Sequence, residues 1–178
     1  MTGVTVLPSH SRRLNALGRR GAFRLHASVL VGLLAASSAP TPLYALYQAA
    51  WHFSAMTLTV VFSAYALALL VALLTAGTLS DHLGRRPVLA GALLAEAAAM
   101  AAFATPNGVP ALIAARILQG LATGVATSAA GAALLDFEDP ERPGRATVAN
   151  GIGPVAGMAA GVLAATALVQ YAPAPTRT

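Results

Sequence analysis

Residues 77–89, GTLSDHLGRRPVL, separate two long apolar stretches of the sequence. The segment carries two glycines, an aspartate and two adjacent arginines, which are Gly77, Asp81, Gly84, Arg85 and Arg86. Glycine lets neighbouring helices approach closely, aspartate can cap a helix, and arginine holds a loop on the cytoplasmic side of a membrane. The pattern predicts a specialised cytoplasmic turn between two membrane spans; an ordinary connecting loop with two orienting arginines is the alternative.

The composition of this 178-residue chain is that of a membrane protein. Hydrophobic residues make up 57% of it and charged residues only 10%, whereas soluble domains carry about 25% charged residues. The absence of cysteine excludes disulfides and thiolate chemistry. The net charge is +5, but the arginines form no basic face with aromatic residues, so we expect no nucleic-acid partner. We find no nucleophile–base set, metal-ligand spacing or phosphate loop, and expect neither an enzyme nor a cofactor or metal.

Several apolar segments reach the ~20 residues that a membrane span needs. The N-terminal segment contains several arginines and no acidic residue, which predicts a cytoplasmic tail. A cleaved targeting signal and a segment that binds anionic headgroups are the other interpretations. The expected order is a tail at 1–22, spans at 23–48 and 55–79, the charged cytoplasmic loop at 80–86, spans at 87–104 and 110–135, a cytoplasmic loop at 136–146, a span at 147–171 and an external tail at 172–178.

The first span is interrupted by a polar, proline-containing patch. Ser37, Ser38, Pro40 and Thr41 lie in it, and proline disfavours a straight helix because it lacks the backbone donor. Irregular polar backbone at membrane depth is where transporters place substrates, so this patch predicts a substrate path. A kinked structural helix whose serines bond to its own carbonyls is the alternative. The aromatic residues that follow predict an interfacial belt, at Tyr44, Tyr47, Trp51 and Phe53.

Two ionisable residues lie within predicted spans, where a charge is costly and points to function. Glu96 is near the middle of the third span and Arg116 lies in the fourth, three residues before Gln119. At about 1.5 Å per residue the two charged groups reach similar depths, so we expect them to pair. Glu96 could carry a coupling proton; a neutral carboxyl bonded to a neighbouring helix is the alternative.

The fifth span repeats glycine at every fourth position. Gly153, Gly157 and Gly161 share one helix face, and Pro154 follows the first of them. Small residues on one face permit close helix packing in a membrane. This face could pack within the chain, or it could pair the chain with another membrane protein.

Three stretches together resemble the major facilitator superfamily of secondary transporters. Residues 77–89 are similar to its signature between the second and third spans, with His82 at a position where the family usually has Arg or Lys. The R-x-x-Q-G stretch that contains Arg116 and Gln119 resembles its fourth-span motif, which is associated with proton coupling in drug antiporters. Gly-Pro-x-x-Gly at 153–157 resembles the fifth-span motif of proton-coupled antiporters.

The resemblance implies an all-α integral membrane bundle of about five helices, a truncated form of the N-terminal six-helix half. It implies that Asp81 meets a helix end in the other half, and that Arg85 pairs with Asp136 to form a gate. Arg116 and Glu96 would couple protons, and Gln119 would join the first-span residues on the substrate path. The expected function is proton-coupled efflux of small organic compounds by alternating access, in the bilayer of a bacterial inner membrane with the N-terminus inside. A non-transporting truncated protein, or a subunit that needs another membrane chain, is the alternative.

Overall fold

The computed structural model describes residues 10–104 and 107–171 and, within these ranges, all side chains except those of residues 10–17 and 77–82. The predicted contacts of Gly77 and Asp81, and the predicted tail at 172–178, fall outside the described part. Short turns apart, the described part is helical, which confirms the predicted all-α fold class. Its helices are α1 His10–Ser38, α2 Leu43–Trp51, α3 Ala55–Leu83, α4 Arg85–Ala104, α5 Val109–Asp136 and α6 Arg145–Tyr171.

In the described part, five helical segments are long and apolar enough to cross a membrane. They are Gly18–Trp51, Ala55–Ala76, Arg85–Ala104, Val109–Asp136 and Arg145–Tyr171. The first of them joins α1 and α2 across a turn at residues 39–42, where Pro40 and Pro42 cannot donate the backbone bonds of a continuous helix. Helix α1 begins at His10, so part of the segment predicted as a tail belongs to the first helix.

Helix α5 is the centre of the bundle and contacts α1, α3, α4 and α6. Glycines let α3 lie directly on its backbone. A Cβ added at Gly120 would lie 2.5 Å from the carbonyl oxygen of Tyr65, and one at Gly124 would lie 2.8 Å from that of Leu69. Because lipid removes the hydrophobic drive between helices, such close backbone packing is what holds α3 against α5.

Helix α6 packs on α1 through the predicted glycine face. A Cβ at Gly157 would collide with the carbonyl oxygen of Val31, and one at Gly161 with the carbonyl oxygen of Ala35. Gly153 contributes less, since a Cβ there would be 3.6 Å from Leu30, and the neighbouring Pro154 is half-buried. The face is therefore occupied by α1 of the same chain and is not free to pair with another chain.

The signature segment is a single-residue break between two helices. Helix α3 continues to Leu83 and α4 starts at Arg85, so the loop predicted at 80–86 is reduced to Gly84. Gly84 has φ +84°, a left-handed conformation that a side chain would strain. One glycine in this conformation reverses the chain direction without the longer loop that was predicted. Hereafter the signature end means the end of the bundle that carries Gly84 and residues 137–144.

At the opposite end, His52 caps α2 in the left-handed region, with φ +51°. A side chain in this region costs roughly 1 kcal/mol, because Cβ crowds the backbone. We expect His52→Gly to raise the free energy of unfolding by about 1 kcal/mol, as measured by denaturant titration in detergent micelles. The matched control is Ala50→Gly in α2, which should lower it by about 1 kcal/mol. If His52→Gly also destabilises the protein, the capping conformation is not strained.

Candidate functional site

Among the buried polar side chains of the described residues, four from α4 and α5 lie together in the middle of the bundle. Arg116 is 2% exposed and Glu96 is 4% exposed, while Gln119 and Thr123 are 0% exposed. Glu96 comes from α4, and the other three come from one face of α5, where positions 116, 119 and 123 stack above each other. A buried charge or amide without partners costs several kcal/mol in a membrane, so these groups have to satisfy one another.

Arg116 ties α5 to the broken first span. Its Nε donates to the hydroxyl of Tyr44 in α2. Its Nη1 donates to the carbonyl oxygen of Ser37 at 3.1 Å, at the end of α1, and to Oε1 of Gln119 at 2.5 Å. The guanidinium therefore bonds on both sides of the turn at residues 39–42 and fixes the angle of that break.

Gln119 links Arg116 to Glu96. Its Nε2 donates to Oε1 of Glu96 at 3.0 Å and to the carbonyl oxygen of Ala36 at 3.3 Å. The predicted direct pairing of Arg116 with Glu96 is therefore wrong, because the amide of Gln119 lies between the two charged groups. Depth along each helix was a sound guide to their level, but it carries no information about which side chain stands between them.

Glu96 accepts a hydrogen bond on each of its carboxyl oxygens. Oε1 accepts from Gln119, and Oε2 accepts from the hydroxyl of Thr123 at 3.1 Å. This pattern satisfies an ionised carboxylate. A hydroxyl can donate or accept, so Thr123 can rotate its proton and accept from a protonated Glu96 instead. The site can thus hold Glu96 in either protonation state without moving a heavy atom.

Four aromatic rings surround the guanidinium of Arg116. Its Cζ lies 5.0 Å from the ring centroid of Tyr44, 5.6 Å from Phe62, and 5.3 Å from both Tyr65 and Phe103. Ring faces attract a cation and replace part of the hydration that it loses on burial. These rings come from α2, α3 and α4, so the charge of Arg116 draws three helices together around α5.

The residues predicted for the substrate path have different surroundings. The hydroxyl of Ser37 is 2.5 Å from that of Tyr65, within the same polar cluster. The hydroxyl of Ser38 donates to Ala35 at 3.0 Å and to the carbonyl oxygen of Met158 in α6 at 2.9 Å, so it holds helices together. Pro40 is fully buried, and Thr41 is exposed in the turn.

An ion pair closes the signature end. Arg85, at the start of α4, donates to the carboxylate of Asp136, at the end of α5, which is the partner that the resemblance implies. Both side chains are partly exposed, and the neighbouring Arg86 is exposed. Asp136 is 20 residues from Arg116 along α5, which is about 30 Å, so the ion pair and the buried polar cluster are separate sites.

Sequence reasoning missed part of the cluster. Tyr44 was assigned to the interfacial belt, whereas it is 3% exposed and bonded to Arg116. Tyr47 and Trp51, which stack at 5.0 Å between centroids, do form an aromatic group farther along α2. Thr123 carries a usable signal, since it lies seven residues after Arg116 on the same helix face. Phe62, Tyr65 and Phe103 carry none, because apolar spans contain many such residues.

Comparison with family models matches residues 27–176 to the Major Facilitator Superfamily. The chain belongs to this superfamily. Neither the curated proteins nor the solved structures provide a match. Members of the superfamily are membrane transporters and not enzymes, so the five apolar helices and the buried polar cluster are those of a transporter-type protein.

Proposed function

We propose that the chain is the N-terminal part of a secondary transporter that exports small organic compounds in exchange for protons. The observation that carries this proposal is the position of Glu96, a carboxyl group buried at mid-bundle with a hydrogen-bond partner on each oxygen. A carboxyl in a membrane interior is expensive and is typical of proton relays. The likeness of the fourth and fifth spans to antiporter motifs favours export of the substrate in exchange for protons over uptake of the substrate.

Protonation of Glu96 would affect the first span electrostatically, through the hydrogen bonds that link Glu96 to Gln119 and Gln119 to Arg116. A neutral Glu96 no longer offsets the charge of Arg116, which weakens the electrostatic hold on the cluster. Arg116 bonds to Ser37 and Tyr44 on either side of the break at residues 39–42. A change of charge at Glu96 therefore becomes a change in the break, next to the polar residues proposed for the substrate path.

The signature end supplies the gate in this proposal. The Arg85–Asp136 pair holds the start of α4 against the end of α5, and Asp81 would meet a helix of a second half. That half, on the same or another chain, would complete the cavity, since substrates in this fold bind between halves. The proposed location is a bacterial inner membrane, with the arginine-rich N-terminal segment inside.

The proposal predicts coupled movement of protons and substrate. In everted membrane vesicles that contain the chain together with the half that completes its cavity, adding a transported compound from a panel of small organic molecules should release protons, and Arg116→Ala should abolish that release. Arg142→Ala, in the exposed loop after α5, is the matched control and should leave it unchanged. A full response from Arg116→Ala would contradict the coupling role. No response to any compound in the wild type would favour a non-transporting subunit.

A further inference from the structure

An apolar groove lies along α4 and α5, and none of the residues of the polar cluster lines it. It has a volume of about 550 Å³ and starts beside Leu83 at the end of α3. Its α4 side extends from Pro87 to Ala95, and its lining is almost entirely apolar. The α4 side spans about 12 Å along the helix axis, from the signature end towards mid-bundle.

The space above the floor of the groove is unfilled because the residues that form the floor have small side chains. A Cβ added at Gly91 would meet no atom within 4 Å, and Ala92, Ala95 and Ala122 complete the floor. Leu118 and Leu121 form a wall and are 37% and 39% exposed. The groove is therefore longer along the helix axis than a single side chain and open on its outer side, and an extended hydrocarbon chain can lie in it.

A cationic residue lies next in sequence to the lining of the groove, at the signature end. Arg86 directly precedes Pro87, which lines the groove, and its side chain is exposed. Asp136 is engaged by Arg85, and among the described side chains Arg86 takes part in no ion pair. An exposed guanidinium at the end of a membrane-spanning helix lies at headgroup depth, and its planar donors suit a phosphate.

From this arrangement we propose that the groove binds one acyl chain of an anionic phospholipid whose phosphate is held by Arg86. The acyl chain fills the space over Gly91, and the headgroup adds charge complementarity to a site that otherwise offers only apolar contact. The lipid would contact both helices that the Arg85–Asp136 pair joins, so it would stabilise the signature end in the conformation described here.

Native mass spectrometry of the purified chain in detergent tests this proposal. The probes are phosphatidylglycerol and phosphatidylcholine with identical acyl chains, titrated separately. We expect phosphatidylglycerol to bind about fivefold more tightly, the effect of one arginine at an anionic headgroup. Arg86→Gln should bring the ratio close to one, whereas Arg142→Gln, an exposed arginine at the same end, should leave it unchanged.

Filling the groove tests the acyl-chain part separately. Gly91→Leu should cause loss of binding of both lipids, whereas Gly151→Leu, at an equally open glycine on α6, should not. Ala95→Leu serves as the second variant if Gly91→Leu does not fold. Equal binding of the two lipids by the wild type, a preference retained by Arg86→Gln, or unchanged binding by the groove variants would overturn the proposal. A dimer that disappears in the groove variants would assign the groove to a second copy instead.

Discussion

Replacing Gly161 with leucine should detach α6 from the bundle and lower the free energy of unfolding by about 3 kcal/mol. The Cβ alone would collide with the carbonyl oxygen of Ala35 and crowd the hydroxyl of Ser38. The first of these is backbone, so it cannot move aside as a flexible side chain would. Ser38 would also lose its bond to the carbonyl oxygen of Met158, because the two helices would have to separate.

The same substitution at Gly151 is the control. Gly151 lies on α6 as well, but a Cβ there would meet no atom within 4 Å. Unfolding of both variants can be followed by denaturant titration in micelles with circular dichroism as the signal. Only Gly161→Leu should shift the transition strongly. If the two variants unfold alike, α6 is not held by the close approach of its glycine face to α1.

The glycines show which parts of the fold could be predicted from the sequence. The repeat at Gly153, Gly157 and Gly161 predicts a packing face, because glycines four residues apart line one side of a helix and allow a neighbouring helix to approach closely. The sequence does not tell which helix meets the face, and a second chain was as good a candidate as α1. Gly120 and Gly124, which hold α3, also recur at this spacing but were not recognised as a packing face.

The polar cluster could be predicted by its members more readily than by its connections. Arg116, Gln119 and Glu96 are conspicuous because charged and amide groups are rare in apolar spans. Their order in space depends on how α4 is rotated against α5, which is set by the packing of many small apolar residues. Tyr44 illustrates the same limit, since its position near a helix end predicts an interfacial residue, while the break at residues 39–42 turns it inward.

The largest effect on stability is expected where the charge of Arg116 is removed. Arg116→Met keeps an apolar side chain within the aromatic rings but leaves Glu96 as an uncompensated charge. Removing one of two buried charges that hydrogen bonds link through a third side chain costs about 4 kcal/mol when the other group stays ionised. Adding Glu96→Gln removes the second charge and keeps its shape, so the double variant should be less destabilised than the sum of the two single variants by about 2 kcal/mol. Unfolding titrations of the four proteins in micelles measure this coupling energy.

The exposed ion pair at the signature end provides the comparison. Arg85→Met and Asp136→Asn remove a direct contact, yet their coupling should be about 1 kcal/mol or less, because water screens partly exposed charges. The Arg116–Glu96 coupling should exceed it although Gln119 separates those two groups. An Arg116–Glu96 coupling no larger than that of Arg85 with Asp136 would mean that Gln119 does not link the two buried charges electrostatically. Transmission through Gln119 is the property that the proposed proton coupling needs, because the hydrogen bonds of Glu96 go to Gln119 and Thr123, whereas Gln119 and Arg116 bond to the first span.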